Sequence, residues 1–402
     1  MSSPSASSTP PTPRSGVSIV PHAAALFALL PLSTDIYLTA MVDLGRDFAV
    51  DVAGVQRTML AFTLGFGLAH LFIGRFADRI GRRPTALVGL TVYTVASVLA
   101  AAAPSLDLLV AVRAVQGMAA ACGPILARTL VRDTVPPEQA GRAMAQLGAL
   151  LGIAPLTAPL IGTLAAHLGG WRVTIVVLAL YGAGLGLFLR RHLPETRPTR
   201  VHGADGVSIA RALVHLGRHR PFLVGIAALA AGYGSLLTWL TTSGFLLVDG
   251  LGQSRFEASL VYTVGSAGFV TGGLVGMRLA KTLLPRHILR IASGLLLLGT
   301  IGLTLVLWLG FRHWTAILVA VLPFYVGWGI GQPMAIAIAM RPFPDMAGQA
   351  SAWLGLFQQV GGIVLSLIAT RIGGAMATPA VMVLGALLYT AVVFVPPSPT
   401  KT

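Results

Sequence analysis

The chain has 402 residues, 55% of them hydrophobic and only 10% charged. A soluble protein carries about 25% charged residues, so these charges cannot coat a water-facing surface and most of the surface must meet lipid. The net charge of +15 does not mark a nucleic-acid binder, because the basic residues stand at the ends of apolar segments rather than in one patch.

Residues 1–20 are rich in Ser, Pro and Thr and read as a disordered tail. Twelve segments then approach the roughly 20 apolar residues that a membrane span needs. They lie near 21–42, 56–75, 84–103, 107–130, 141–166, 172–190, 222–247, 257–279, 287–310, 314–339, 349–371 and 377–396. The first lacks a short apolar core followed by a small-residue cleavage site, so it is expected to be retained. The links are short except 191–220, which is rich in arginine and divides the spans six and six. The expected fold class is an all-α integral membrane protein of two six-helix bundles. They would lie at 21–190 and 221–396, joined by a cytoplasmic loop at 191–220 and followed by a tail at 397–402. Arginine and lysine concentrate in alternate links, which places both termini in the cytoplasm. The interface between two such bundles usually holds a substrate site near the bilayer midplane.

The first span contains LPLSTDIYLTA, Leu30 to Ala40. A charged side chain there costs several kcal/mol unless it faces a partner or a cavity. Counting from Pro21, Asp35 lies about 21 Å up a roughly 30 Å span. Arg113 of the fourth span, counted down from Asp107, comes to a similar height, about 21 Å from the inner face. The two are therefore expected to meet, directly or through water. An aspartate beside Arg113 keeps its charge, and moved into an apolar cavity it takes a proton, which makes the pair a candidate coupling switch. A static pair that fixes packing is the plainer alternative.

After the second span comes GRFADRIGRRP, Gly74 to Pro84. Gly74 lets neighbouring helices approach, Gly81 permits a turn with positive φ, and the arginines hold the loop at the membrane surface. The stretch resembles the signature G-x-x-x-D-R-x-G-R-R of the major facilitator superfamily, with Gly74, Asp78, Arg79, Gly81, Arg82 and Arg83 in place. The resemblance implies that Asp78 meets the N-terminal end of the eleventh span, near 348–351, where negative charge is favoured. The second half has a counterpart around Gly276 to Lys281 that lacks the aspartate.

The fourth span reads RAVQGMAAACGPILARTLVRD, Arg113 to Asp133, and includes the one cysteine, Cys122, which cannot form an internal disulfide. The fifth reads GALLGIAPLTAPLIG, Gly148 to Gly162, and GGWR follows. With STDIYL of the first span, these are similar to the Bcr/CflA group of drug exporters, which includes chloramphenicol- and bicyclomycin-resistance proteins. The similarity covers the first six spans by motif and the rest by hydropathy. Thr39 stands where the group has a proline. Gly148, Gly152, Pro155, Pro159 and Gly162 resemble the antiporter motif of the superfamily. Small residues allow close helix contact and prolines bend the helix, and the resemblance implies a flexible seal and export rather than uptake.

Tyr37, Gln116, Trp239, Thr242, Tyr325, Trp328, Gln332, Gln358 and Gln359 are the polar candidates for a central cavity. Such groups suit a moderately apolar ligand with a few hydrogen-bonding atoms. His70 reads as packing. No HExxH on a span, cysteine pair or GxxxxGK[ST] is present, so neither an enzyme, a metal, a cofactor nor ATP is expected, and Asp35 makes the proton the expected coupling ion. The expected function is proton-coupled export, by a monomer, of small amphipathic compounds such as chloramphenicol-like antibiotics. The same fold and the same Asp35 would also serve a proton-linked transporter of an amino acid, sugar or short peptide.

Overall fold

Helices account for the architecture. In the first half these are α1 (Ile19–Leu38), the short α2 (Met41–Asp47), α3 (Val52–Ala69), α4 (Ile73–Ile80), α5 (Arg82–Ala101), α6 (Leu106–Ala120), α7 (Cys122–Thr134) and α8 (Ile153–His192). The second half holds α9 (Ile209–Leu216), α10 (Arg220–Phe245), α11 (Arg255–Leu279), α12 (Pro285–Trp308), α13 (Trp314–Met340), α14 (Ala347–Ile372) and α15 (Ala377–Phe394). The structure, a computed structural model, describes residues 19–395 except 137, 140–142, 144–145, 148–149, 151 and 197–208. Gly148, the start of the N-terminal tail, the middle of the central loop and the C-terminal tail lie outside the described residues.

Among the described residues, eleven helical stretches are long and apolar enough to cross a bilayer. One of them, α8, has 40 residues, which as a straight helix would rise about 60 Å, twice a hydrocarbon core. It is two spans joined at a break, where Gly169 is extended and Gly170 takes φ 70°. With that break the twelve predicted spans are all accounted for. α6 and α7 form one span with a slight interruption at Ala121. Polar caps mark several places where the chain enters a helix. The Asp51 carboxylate accepts from Gly54 N at 2.8 Å, and Ser254 with Glu257 closes a capping box at the start of α11. The outer faces are apolar, with Val88, Val95, Leu298 and Leu305 exposed, as lipid contact requires.

Two cores form, one in each half. Leu26, Leu29, Phe62, Leu126 and Leu178 belong to the first, and Phe222, Leu229, Leu296, Phe324 and Tyr389 to the second. Across the seam between the bundles, α3 packs on α14 and α8 on α11. At the end that carries α2, a third cluster joins the halves, with Tyr37, Leu44, Met59 and Trp171 of the first bundle meeting Leu237 of the second. The opposite end carries α4. Within the first bundle α3 and α6 touch backbone to backbone: a Cβ on Gly117 would lie 2.0 Å from the Phe62 carbonyl oxygen. That crossing brings Phe62 up to the residues discussed next.

Candidate functional site

Asp35 lies in the upper part of α1 and is half-buried. Pro31, one turn earlier, has no N–H to close the helix ladder there. Thr34 Oγ1 donates to Asp35 Oδ1 at 2.8 Å. α1 borders α10 of the second bundle; Tyr233 of α10 packs in the cluster that joins the halves, and the Tyr262 hydroxyl of α11 lies 3.0 Å from Ser243 Oγ of α10. Asp35 thus lies on a helix that borders the seam.

Arg113 sits elsewhere and is fully buried. Its guanidinium carbon stands 4.0 Å from the Tyr37 ring centroid and 4.3 Å from that of Phe62. Nη1 donates to Gln116 Oε1 at 2.6 Å, and Nη2 lies 3.7 Å from the Met59 sulfur. Gln116 Nε2 in turn donates to Ser97 Oγ at 2.7 Å, and the Tyr37 hydroxyl donates to Thr58 Oγ1 at 2.6 Å. No ion pair between Asp35 and Arg113 is among the described contacts, where Asp35 accepts from Thr34 and Arg113 is held by Tyr37, Phe62, Gln116 and Met59. Residues two apart on a helix point about 200° apart, and Tyr37 holds the face turned to Arg113. Phe62, Tyr233 and Tyr262 were missed by sequence reasoning. The spacing of Asp35 and Tyr37 was the available signal for the two faces.

The loop after α3 is pinned within its own bundle. Arg82, only 3% exposed, pairs with Asp78 at 2.7 Å and with Asp133 at 2.9 Å, and donates to the Ala77 carbonyl at 2.7 Å. The Glu195 carboxylate accepts from the backbone N–H of Arg82 at 2.8 Å and of Arg83 at 3.2 Å, and Arg83 Nη2 donates to the Arg190 carbonyl at 2.7 Å. Gly81 takes φ 106°, a conformation that requires glycine, and it lies against the Glu195 carboxylate, 2.6 Å from where a Cβ would stand. Asp78 was expected at 348–351. Among the described residues its ion pair is with Arg82, on the helix that follows.

Comparison with known proteins decides the family. The model of the Major Facilitator Superfamily matches residues 23–366. This chain belongs to the major facilitator superfamily. It is a multi-pass membrane transporter and not an enzyme. Multidrug resistance protein D of Escherichia coli K12 is 32% identical over 350 residues, covering 86% of each chain. Multidrug resistance protein MdtL of Salmonella typhi is 29% identical over 358 residues, covering 87% of each. A D-xylose-proton symporter has the same fold, with a TM-score of 0.73 at 14% identity over 92% of this chain and 96% of that one. A partially occluded, inward-open structure of the xylose transporter XylE gives 0.73 at 13% identity over 96% and 98%.

Within this facilitator fold the remaining site residues divide between bundle interiors and the seam. Tyr37 and Gln116 are enclosed in the first bundle. Trp239 donates from Nε1 to the Tyr325 hydroxyl at 3.0 Å inside the second, and Trp328 packs against Gly232. Thr242 Oγ1 donates to the Thr238 carbonyl at 2.7 Å and accepts from Thr378 at 2.8 Å. Gln359 lies against Gly67 of α3, while Gln332 and Gln358 are half-buried. Of the antiporter stretch, Gly152 is the N-cap of α8, Pro155 falls in its first turn, and Pro159 is buried within it. Gly162 sets α8 on α1, where a Cβ would lie 2.5 Å from Thr39 Oγ1 and 2.6 Å from the Ile36 carbonyl. His70 packs on Gly355 of α14, and its Nδ1 lies 2.8 Å from the Phe66 carbonyl oxygen.

Proposed function

We propose that the chain is a proton-coupled antiporter that exports small amphipathic compounds, chloramphenicol-like antibiotics among them, by alternating access. The observation that carries this reading is Asp35, a half-buried carboxylate of α1, the helix that borders α10 across the seam between the bundles. A carboxylate in a membrane seam takes or releases a proton as its surroundings change from apolar to polar. Tyrosine and amide side chains around it suit ligands with apolar bodies and few hydrogen-bonding atoms. The names of the relatives, multidrug resistance proteins, support drugs as the cargo. Arg113, caged away from the seam, supports the first bundle from within and keeps Tyr37 turned from the cavity.

In the orientation we adopt, the α4 end and both termini face the cytoplasm and the α2 end faces outward across the inner membrane, as the arginine-rich loops favour. One chain contains both bundles and the seam, so a monomer suffices. Entry of one proton down about 100 mV supplies about 2.3 kcal/mol, enough for a roughly fifty-fold gradient of a neutral solute exchanged one to one.

The test measures accumulation of chloramphenicol, alongside a lipophilic cation, in cells with the wild type, Asp35→Asn or no transporter. Each is assayed with and without a protonophore. Lower accumulation with the wild type, abolished by Asp35→Asn and by the protonophore, is expected. Export by Asp35→Asn at the wild-type rate overturns the role of Asp35. No export of either compound by the wild type overturns the drug reading.

A further inference from the structure

The short helix α2 carries three charges in seven residues, Asp43, Arg46 and Asp47. Each meets a partner outside α2. Asp47 accepts from Trp171 Nε1 at 2.9 Å and from Arg172 Nη1 at 2.6 Å, just after the break in α8. This ties α2 to its own bundle. The other two charges cross the seam. Arg46 lies 2.7 Å from Asp249, beyond the end of α10, and Asp43 pairs with Arg255 in the first turn of α11. The polarity is crossed, since α2 offers a carboxylate to one strut of the second bundle and a guanidinium to the other. A slip of α2 by one turn would set Arg46 against Arg255, and like charges so placed repel. Between the two pairs Leu44 is buried, and Gly45 lies against Phe245, whose Cε1 would be 3.6 Å from a Cβ.

A second layer lies beneath. Gln56 of α3 donates from Nε2 to Thr241 Oγ1 of α10 at 2.9 Å, and its Oε1 accepts from Thr370 of α14. The α2 end is therefore shut by an outer layer of two ion pairs and an inner amide–hydroxyl cluster. The outer pairs differ in solvation: Arg46 and Asp249 are exposed at 60% and 44%, Arg255 and Asp43 at 32% and 14%. Exposed pairs contribute little each, which suits a closure that must open on every turnover.

We propose that α2 is the bolt of the outward gate. Asp43 and Arg46 are positioning residues that hold the outer end closed on Arg255 and Asp249. For Asp35 to meet the outside, those two pairs part while the Asp47–Arg172 pair, internal to one bundle, persists. This rests on the alternating-access reading above, and its test needs neither drug nor proton.

The test uses the full-length chain with Cys122→Ser and a reporter Leu240→Cys on α10, which packs in the cluster under α2. Intact cells are treated with a membrane-impermeant maleimide and the labelling rate is measured. Asp43→Asn and Asp249→Asn should each raise the rate about two- to fivefold, the shift expected from one partly exposed pair. The double swap Arg46→Asp/Asp249→Arg should return toward the parent rate, which a merely misfolded variant would not do. Asp47→Asn should leave the rate near the parent value. Parent-like labelling in both single variants, or no recovery in the swap, overturns the bolt. A failed drug assay beside raised labelling in the single variants would sink the cargo and leave the gate.

Discussion

Arg113 is a buried cation whose described contacts are two aromatic faces, an amide and a sulfur. If the rings stabilise it, removing one ring should cost more than removing its hydroxyl. Tyr37→Phe keeps the face at 4.0 Å and loses the hydrogen bond to Thr58, which is worth about 1 kcal/mol. Tyr37→Leu loses that bond and the face as well. A desolvated cation–π contact is worth about 2 kcal/mol, so the leucine variant should lose about 3 kcal/mol. At about 2–4 °C per kcal/mol, Tm should fall roughly 2–4 °C for phenylalanine and roughly 6–12 °C for leucine. Thermal unfolding of the purified transporter in detergent reads both. The same pair made in an Arg113→Met background should show the gap narrowed by about 2 kcal/mol, because the cycle isolates the ring–cation coupling from the packing lost with the ring. Equal losses for phenylalanine and leucine, or a gap unchanged by removal of Arg113, would refute the cage.

Other consequences follow from the geometry. Gly117→Ala would put a methyl group 2.0 Å from the Phe62 carbonyl, so α3 and α6 must part. Overpacking of this kind costs about 1–3 kcal/mol, and the variant should unfold at lower temperature while still inserting. Arg82→Lys should lower export about tenfold or more at unchanged membrane abundance, because an ammonium cannot serve Asp78, Asp133 and the Ala77 carbonyl together. Wild-type efflux from that variant would remove the structural role assigned to the fork. Hydrogen bonds from Trp171 and then Arg172 hold the Asp47 carboxyl below its ordinary 3.8. The contribution of a depressed carboxyl is present above its ordinary value and lost as pH falls through the lowered one. Tryptophan fluorescence should therefore be flat from about pH 8 to about 5 and change only below about 4, with that step absent in Asp47→Asn. A step near neutral pH that Asp47→Asn removes would contradict this.

The spans were legible because a bilayer imposes its thickness on the sequence in one dimension. Apolar runs of about 20 residues must cross it, and GGWR, at the break in α8, marks where one long apolar stretch becomes two. The loop signature was legible by residue type, yet its partners were not. Asp133 stood in the quoted fourth span and Glu195 at the start of the central loop, and nothing in their local sequence says that both meet Arg82 or its backbone. The charges of α2 were illegible for the same reason. Asp43 finds Arg255 more than two hundred residues away, a pairing set by how the bundles dock.

Height along a helix and direction around it are separate quantities, and only the first follows from counting residues. The rise per residue gave Asp35 and Arg113 similar depths, and depth alone suggested that they meet. The turn of about 100° per residue sends Asp35 and Tyr37 to opposite sides of α1, so only one of them can face Arg113. Tyr37 does, with its ring over the guanidinium, which leaves Asp35 on the other face of α1, a helix that borders α10 of the second bundle. This changes what a coupling step would require. A carboxylate locked on Arg113 would need that pair to break inside a rigid bundle, at the cost of leaving a buried guanidinium without its partner. A carboxylate facing the seam changes its surroundings whenever the bundles rock apart, with no rearrangement inside either one.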